Sequence, residues 1–353
     1  MKRRWDIFCK VVDNFGDIGV CWRLAKQLAH EYGLQVRLFV DDVQVASKII
    51  QTINFNKACQ LIDNIEVIIF NDTTFFDFVA DVVIEAFACE LPQNYLSLMS
   101  ETNFWVNLEY LSAEKWVDNF HARSAKQGSL TRHFYFPGFT ENTGGLLRER
   151  DLIAQRDAFL HREKQMDDLK ISLFCYEHAP LLALFHALVV GKRKVTVYAP
   201  LTHSIQKIAP FFGNENLQVG NILTKNQLTL RVLPFLSQAD YDALLWTCDL
   251  NFVRGEDSWV RAIWAGKPFI WQPYPQAEDT HIKKLDAFLE VFYAECQSAC
   301  KAHRCWSIGN MTDEICQRYL DDLPVILAVM QKQSAKLAQQ PDLATKLVTF
   351  CNA

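Results

Sequence analysis

Two aspartates four residues apart, Asp13 and Asp17, share a short segment with two glycines in the run Val11-Val12-Asp13-Asn14-Phe15-Gly16-Asp17-Ile18-Gly19-Val20. Paired carboxylates on one loop suit proton transfer or the capture of a cation, because each oxygen accepts charge-assisted hydrogen bonds. Gly16 and Gly19 allow a tight turn or a close approach of the backbone to a ligand. A structural role competes for Asp17, since an aspartate just ahead of Ile18 is a good helix N-cap. The second group is Arg254-Gly255-Glu256-Asp257-Ser258. An arginine and the first amides of a helix hold a phosphate, and two carboxylates accept from sugar hydroxyls, so the set suits a nucleotide-sugar. Here the competing reading is an acidic helix start that complements the macrodipole. Gln272 and Tyr274, with Tyr176, Phe235 and Gln238, fall at three further expected strand ends and offer aromatic faces and amides suited to a pyrimidine ring.

Other combinations point to less. Asp240-Tyr241-Asp242 has the DxD form of metal-dependent glycosyltransferases, but it falls inside an expected helix and is expected to face solvent. Cys296, Cys300 and Cys305 surround His303 without any CxxC spacing, so no metal site is expected. The eleven cysteines, an odd number in mostly apolar surroundings, read as reduced thiols of a cytosolic protein. His121, His133 and His178 lie near candidate loops without a partnered spacing, and none is chosen as a catalyst.

The elements that must position these residues alternate. Apolar runs at 5–12, 35–40, 65–70, 81–86, 104–110 and 132–136 have the length and composition of strands buried on both faces of a parallel sheet. A helical pattern covers 18–32, which puts Asp13 at the end of the first strand and Asp17 at the start of the first helix. In open α/β sheets this edge is where ligands bind. Charged residues dominate 146–168, which read as a linker and an exposed helix. A second alternation follows, with strands at 171–176, 195–199, 229–233, 250–254 and 268–272, and then a helical tail. The expected fold class is α/β, two Rossmann-like domains facing across a cleft. Residues 1–150 form the first, 151–168 the linker and helix, 169–330 the second, and 331–353 a helical segment packing back on the first domain.

The chain has 353 residues, enough for about two domains. A net charge of −5 gives no basic footprint for nucleic acid. The basic start Met-Lys-Arg-Arg leads into a short apolar run broken by Asp6 and Lys10, not into a signal peptide. No apolar run approaches the ~18 residues of a membrane span, so the expected location is the cytoplasm, with no membrane partner. There is no GxGxxG after the first strand, and Asp17 would repel a pyrophosphate there, which argues against a dinucleotide oxidoreductase. Walker A, HExxH and GxSxG patterns are also absent.

The chain closely resembles the EarP family, bacterial protein-arginine rhamnosyltransferases that modify elongation factor P. The resemblance is carried by IFCKVVDNFGDIGVCWRLA (7–25), NLEYLSAEKWV (107–117), FPGFTENTGGLLRE (136–149), LFCYE (173–177), LPFLSQADYDALLWTCDLNFVRGEDSWVRAIWAGKPFIWQPYPQ (233–276) and the following EDTH. It departs at 121–127, His121-Ala122-Arg123-Ser124-Ala125-Lys126-Gln127, where the family often carries a Pro/Ser-rich stretch; that bears on acceptor docking and not on the chemistry. The resemblance implies a GT-B fold and inverting transfer from dTDP-β-L-rhamnose to an arginine of elongation factor P, which activates that factor for ribosomes stalled at polyproline. It implies no metal or other cofactor. It further implies catalytic roles for Asp13, Asp17 and Glu256, and nucleotide contacts at Tyr176, Phe235, Gln238, Asp257, Ser258 and Tyr274. Phe15, Gly16, Gly19, Arg254, Gly255 and Gln272 are added as donor contacts. The alternatives are a GT-B transferase with a different donor or acceptor, and a non-catalytic nucleotide-sugar-binding protein.

Overall fold

A computed structural model describes residues 3–13, 15–71, 73–163 and 168–353. Asn14 of the aspartate loop and 164–167 of the expected linker lie outside the described residues. The chain forms two compact units, Met1–Arg150 with Ala338–Ala353, and Asp151–Leu337.

The first unit is built on β1 (Arg4–Cys9), β2 (Gln35–Val40), β3 (Cys59–Ile62), β4 (Ile65–Ile69), β5 (Val82–Ala86), β6 (Phe104–Leu108), β7 (Ser124–Gln127) and β8 (Leu130–Tyr135), in the order β3-β4-β2-β1-β5-β6-β8-β7. The six inner strands are parallel, and β3 and β7 close the edges antiparallel. Apolar side chains alternate between two cores. Trp5, Ile7 and Cys9 of β1 face the helix Phe15–Tyr32, while Phe8 joins Phe39, Phe76 and Tyr95 on the other side. The helix stops at Gly33, whose φ of 63° is the left-handed conformation that ends helices. The last helix, Leu343–Asn352, inserts Leu343, Leu347 and Cys351 into the first core. The chain runs from β1 to β2 on one side and returns to β5 on the other, so the loop after β1 lies at the topological switch point where α/β sheets bind ligands.

The second unit contains β9 (Leu169–Leu173), β10 (Val195–Pro200), β11 (Ile222–Lys225), β12 (Leu228–Leu233), β13 (Leu250–Arg254) and β14 (Phe269–Gln272), ordered β11-β12-β10-β9-β13-β14. Its switch point lies between β9 and β13, so the loops carrying Tyr176 and Gly255–Glu256 flank it. The helices Asp313–Asp321 and Leu323–Ala338 finish this unit before the chain returns to the first.

Several sequence expectations need correction. The first strand ends at Cys9, so Asp13 sits in a loop beyond it. Residues 146–150 are folded, not a linker: Leu147 is in the core and the Arg148 carbonyl accepts from Gln27 at 2.8 Å. The helix Leu152–Leu160 belongs to the second unit, where Arg156 donates to the Trp264 carbonyl at 2.7 Å. The DxD segment does not face solvent as a whole. Asp240 is exposed, but Asp242 is buried in a bidentate pair with Arg261, at 2.9 and 2.7 Å. His303 is a core histidine whose Nδ1 faces the Ala299 carbonyl at 2.9 Å, and burial lowers its pKa to about 4. Among the described residues no group of three His, Cys, Asp or Glu side chains could hold a metal ion.

Removing one partner of a buried bidentate pair strands the other charge, which costs about 3–5 kcal/mol. Asp242→Ala should therefore lower the unfolding free energy extrapolated from urea denaturation by an amount of that size.

Candidate active site

In the first unit the loop after β1 is shaped by its own carboxylates. The amides of Val12 and Asp13 both donate to Asp17 Oδ2 at 2.8 Å, and the Val11 amide donates to Asp41 Oδ1 at 3.0 Å. Asp17 is the third residue of its helix, and its side chain reaches back over the preceding loop as the acidic member of a capping box does. The N-cap reading is thus corrected in position: the carboxylate organises the loop instead of starting the helix.

The Tyr110 hydroxyl also hydrogen-bonds to Asp17. A carboxylate has about four acceptor positions, so three internal donors leave room for another. Asp17 is 1% exposed, and burial raises its pKa above the ordinary value of 3.8 against the pull of those donors. The result is a carboxylate held in place by its donors, with a pKa that burial raises above its ordinary value.

Asp13 is 7% exposed, and its carbonyl accepts from the Gly16 amide at 2.7 Å. Gly16 has a steric reason to be glycine. A Cβ there would lie 2.7 Å from Asp13 Oδ2, inside any real contact distance. Phe15 and Gly19 lie in the first turns of the same helix. Tyr110 belongs to the NLEYL motif, but its chemistry is not apparent from spacing, because the contact joins the segments that follow two non-adjacent strands, β6 and β1.

In the second unit the candidate residues gather on neighbouring strand ends. Arg254 closes β13, donates from Nη1 to the Cys175 carbonyl at 3.2 Å, and lies over the Phe174 and Tyr176 rings at 4.2 and 4.6 Å. Gly255 follows with φ of 63°, and Glu256 is the N-cap residue of the helix Asp257–Ala265. Ser258 Oγ accepts the Arg254 amide at 3.2 Å and donates to the Arg254 carbonyl, so the hydroxyl builds the turn. Gln238 Nε2 approaches Asp257 Oδ2 at 3.4 Å, and Phe235 lies half-buried just after β12. Gln272 is fully buried: its Oε1 accepts the Tyr176 amide at 2.8 Å and its Nε2 meets His178 Nε2 at 2.9 Å. It ties the β9 and β14 loops together, with its amide committed inside the protein. Tyr274 stands exposed, edge-on to Tyr176 at 5.7 Å. His178 is the partner that spacing did not reveal, because its contact exists only where β9 and β14 reach the same edge.

Known proteins resemble this chain over its whole length. The family model for the elongation factor P rhamnosyltransferase EarP matches residues 5–352. A protein-arginine rhamnosyltransferase of Pseudomonas aeruginosa is 40% identical over 98% of both chains. Its counterpart from Pseudomonas putida is 41% identical over 99% of each. A solved structure described as the basis for EarP-mediated arginine glycosylation of translation elongation factor EF-P aligns with a TM-score of 0.68 at 32% identity, covering 99% of both chains. MurG of Acinetobacter baumannii shares the fold at 14% identity and a TM-score of 0.53.

The Gly16 contact yields a direct test. Gly16→Ala should displace the Asp13 carboxylate and lower kcat on the order of 10²-fold, the usual cost of an ångström-scale misplacement. Circular dichroism should show an unchanged fold.

Proposed function

Because the chain belongs to the EarP family of elongation factor P rhamnosyltransferases, we propose that it transfers L-rhamnose from dTDP-β-L-rhamnose to an arginine of elongation factor P with inversion at the anomeric carbon. It is a glycosyltransferase of protein arginine. The observation that carries the chemical assignment is Asp17, a buried carboxylate with a raised pKa at the switch point of the first unit.

A guanidinium has a pKa above about 12 and a delocalised lone pair, so it is a weak nucleophile. Asp17 binds it by charge-assisted hydrogen bonds, which localise its charge, and Asp13 holds the loop and shares the cation. As a guanidinium nitrogen bonds to C1 of rhamnose, the C1–O bond to the diphosphate breaks. The nitrogen loses its proton to Asp17. Attack opposite the leaving group turns a β donor into an α product.

The donor half of the chemistry is assigned to the second unit. The sugar passes through an oxocarbenium-like state while negative charge grows on the departing dTDP. Arg254, anchored on the Cys175 carbonyl, meets the diphosphate with its positive charge beside the first amides of the helix Asp257–Ala265. Glu256 positions the rhamnose. Tyr176, Phe235 and Tyr274 supply ring faces for the base, with Gln238 and Asp257 as polar contacts. This assignment calls for no metal ion.

Mass spectrometry of elongation factor P co-expressed with the chain should show one deoxyhexose on an arginine; an unmodified acceptor, or a different sugar mass, would overturn the proposal. Asp17→Asn should abolish transfer while dTDP binding by calorimetry stays nearly unchanged. Transfer should also survive excess EDTA, and strict dependence on added Mg²⁺ would refute the assignment of the leaving charge to Arg254.

A further inference from the structure

The chain leaves β5 through a turn whose backbone is unusual. Phe87, Ala88 and Glu90 have φ of 57°, 52° and 57°, and none is a glycine, asparagine or aspartate. In this left-handed region the Cβ crowds the following carbonyl oxygen, so such residues persist only where the surroundings hold them. Here every amide of the turn is captured. Phe87 donates to the Leu108 carbonyl at 2.7 Å, Ala88 to Asn107 Oδ1 at 3.1 Å, Cys89 to the Ala86 carbonyl at 3.2 Å, and Glu90 to Glu85 Oε1 at 3.0 Å. Asn107 and Glu85 are themselves buried on strands β6 and β5.

What this turn presents is the Phe87 ring. It stacks on Tyr110 with centroids 4.4 Å apart and planes 16° from parallel. Tyr110 follows β6, two strands from β1, yet its hydroxyl reaches Asp17. Two strand spacings are about 10 Å, so the tyrosine extends over the end of β5 to reach the aspartate loop. A glycine at position 87 would relieve the backbone and remove the ring on which the tyrosine rests.

We propose that Phe87 is a positioning residue: the strained turn 86–90 fixes its ring as a shelf that holds the Tyr110 hydroxyl on Asp17. The inference rests on the reading of Asp17 as the base that takes the acceptor proton. Among the described residues, the groups set against Asp17 besides Tyr110 are Asp13 in its own loop, which meets it through the backbone amide, Asp41 just after β2 and the Cys9 thiol at the end of β1. The tyrosine is the one donor among these side chains that favours the charged carboxylate. Losing its hydrogen bond raises the Asp17 pKa further.

The test compares Phe87→Leu and Tyr110→Phe with the unsubstituted enzyme in the acid limb of kcat/KM for an elongation factor P substrate. Both variants should lower kcat about tenfold and move that limb up by about one pH unit, with dTDP binding and the unfolding midpoint of Tyr110→Phe little changed. Phe87→Tyr, which keeps an aromatic shelf, should restore the limb. An unmoved limb in Tyr110→Phe overturns the proposal whatever Phe87→Leu does. So does a shift in Tyr110→Phe with none in a folded Phe87→Leu. If Asp17→Asn were fully active, the reading of Asp17 itself would fall. An inactive Asp17→Asn beside unaffected Phe87 and Tyr110 variants would sink only the present inference.

Discussion

The two hydrogen bonds from the Val12 and Asp13 amides to one oxygen of Asp17 set the shape of the first unit's switch-point loop. They turn the backbone away from β1 and bring the Asp13 carbonyl to the Gly16 amide. The Asp13 carboxylate then lies where only a glycine at position 16 leaves space. The same bonds have an electrostatic effect. Donors pull the Asp17 pKa down while burial pushes it up, and burial prevails. An acidic group, buried and held by loop amides, thus stands at a helix N-terminus of the kind that elsewhere in α/β proteins receives a phosphate.

In the second unit the corresponding end of the sheet carries Arg254 beside Glu256 and Asp257. Arg254 is packed between a carbonyl and two aromatic faces, which restricts its fork to one orientation before any ligand arrives. Ser258 and Gln272, both expected to touch the donor, help to build this end. Ser258 closes the turn around Arg254, and Gln272 fixes the backbone of Tyr176. Their polar character is required by the architecture around the site even though their side chains are turned into the protein.

Much of this was legible in the sequence because buried parallel strands are short apolar runs and their carboxyl ends carry polar residues. Strands at 35–40 and 250–254 coincide with β2 and β13. The missed strands, β3, β7 and β11, are edge strands paired antiparallel and largely exposed, so no apolar pattern marks them. The contacts of Tyr110 and His178 escaped notice for another reason. Their partners, Asp17 and Gln272, are far away in sequence and meet them only through strand order, which a linear pattern does not encode. The burial of Asp242 is similar: its helix position suggests solvent, and only the arrival of Arg261 from the next helix makes it a core residue.

The helix Leu343–Asn352 has a consequence for how the protein is made. It closes a core begun by β1 and the helix Phe15–Tyr32, with Thr345 on Tyr32 at 2.7 Å and Asp342 on Gln27 at 3.0 Å. During synthesis the whole of the second unit emerges before those partners exist. The continuous second unit is complete in sequence before the first, whose strands come earlier but whose closing helix comes after it. The unit that bears the aspartate loop therefore reaches its finished core last, and it does so through a segment far from that loop in the order of translation.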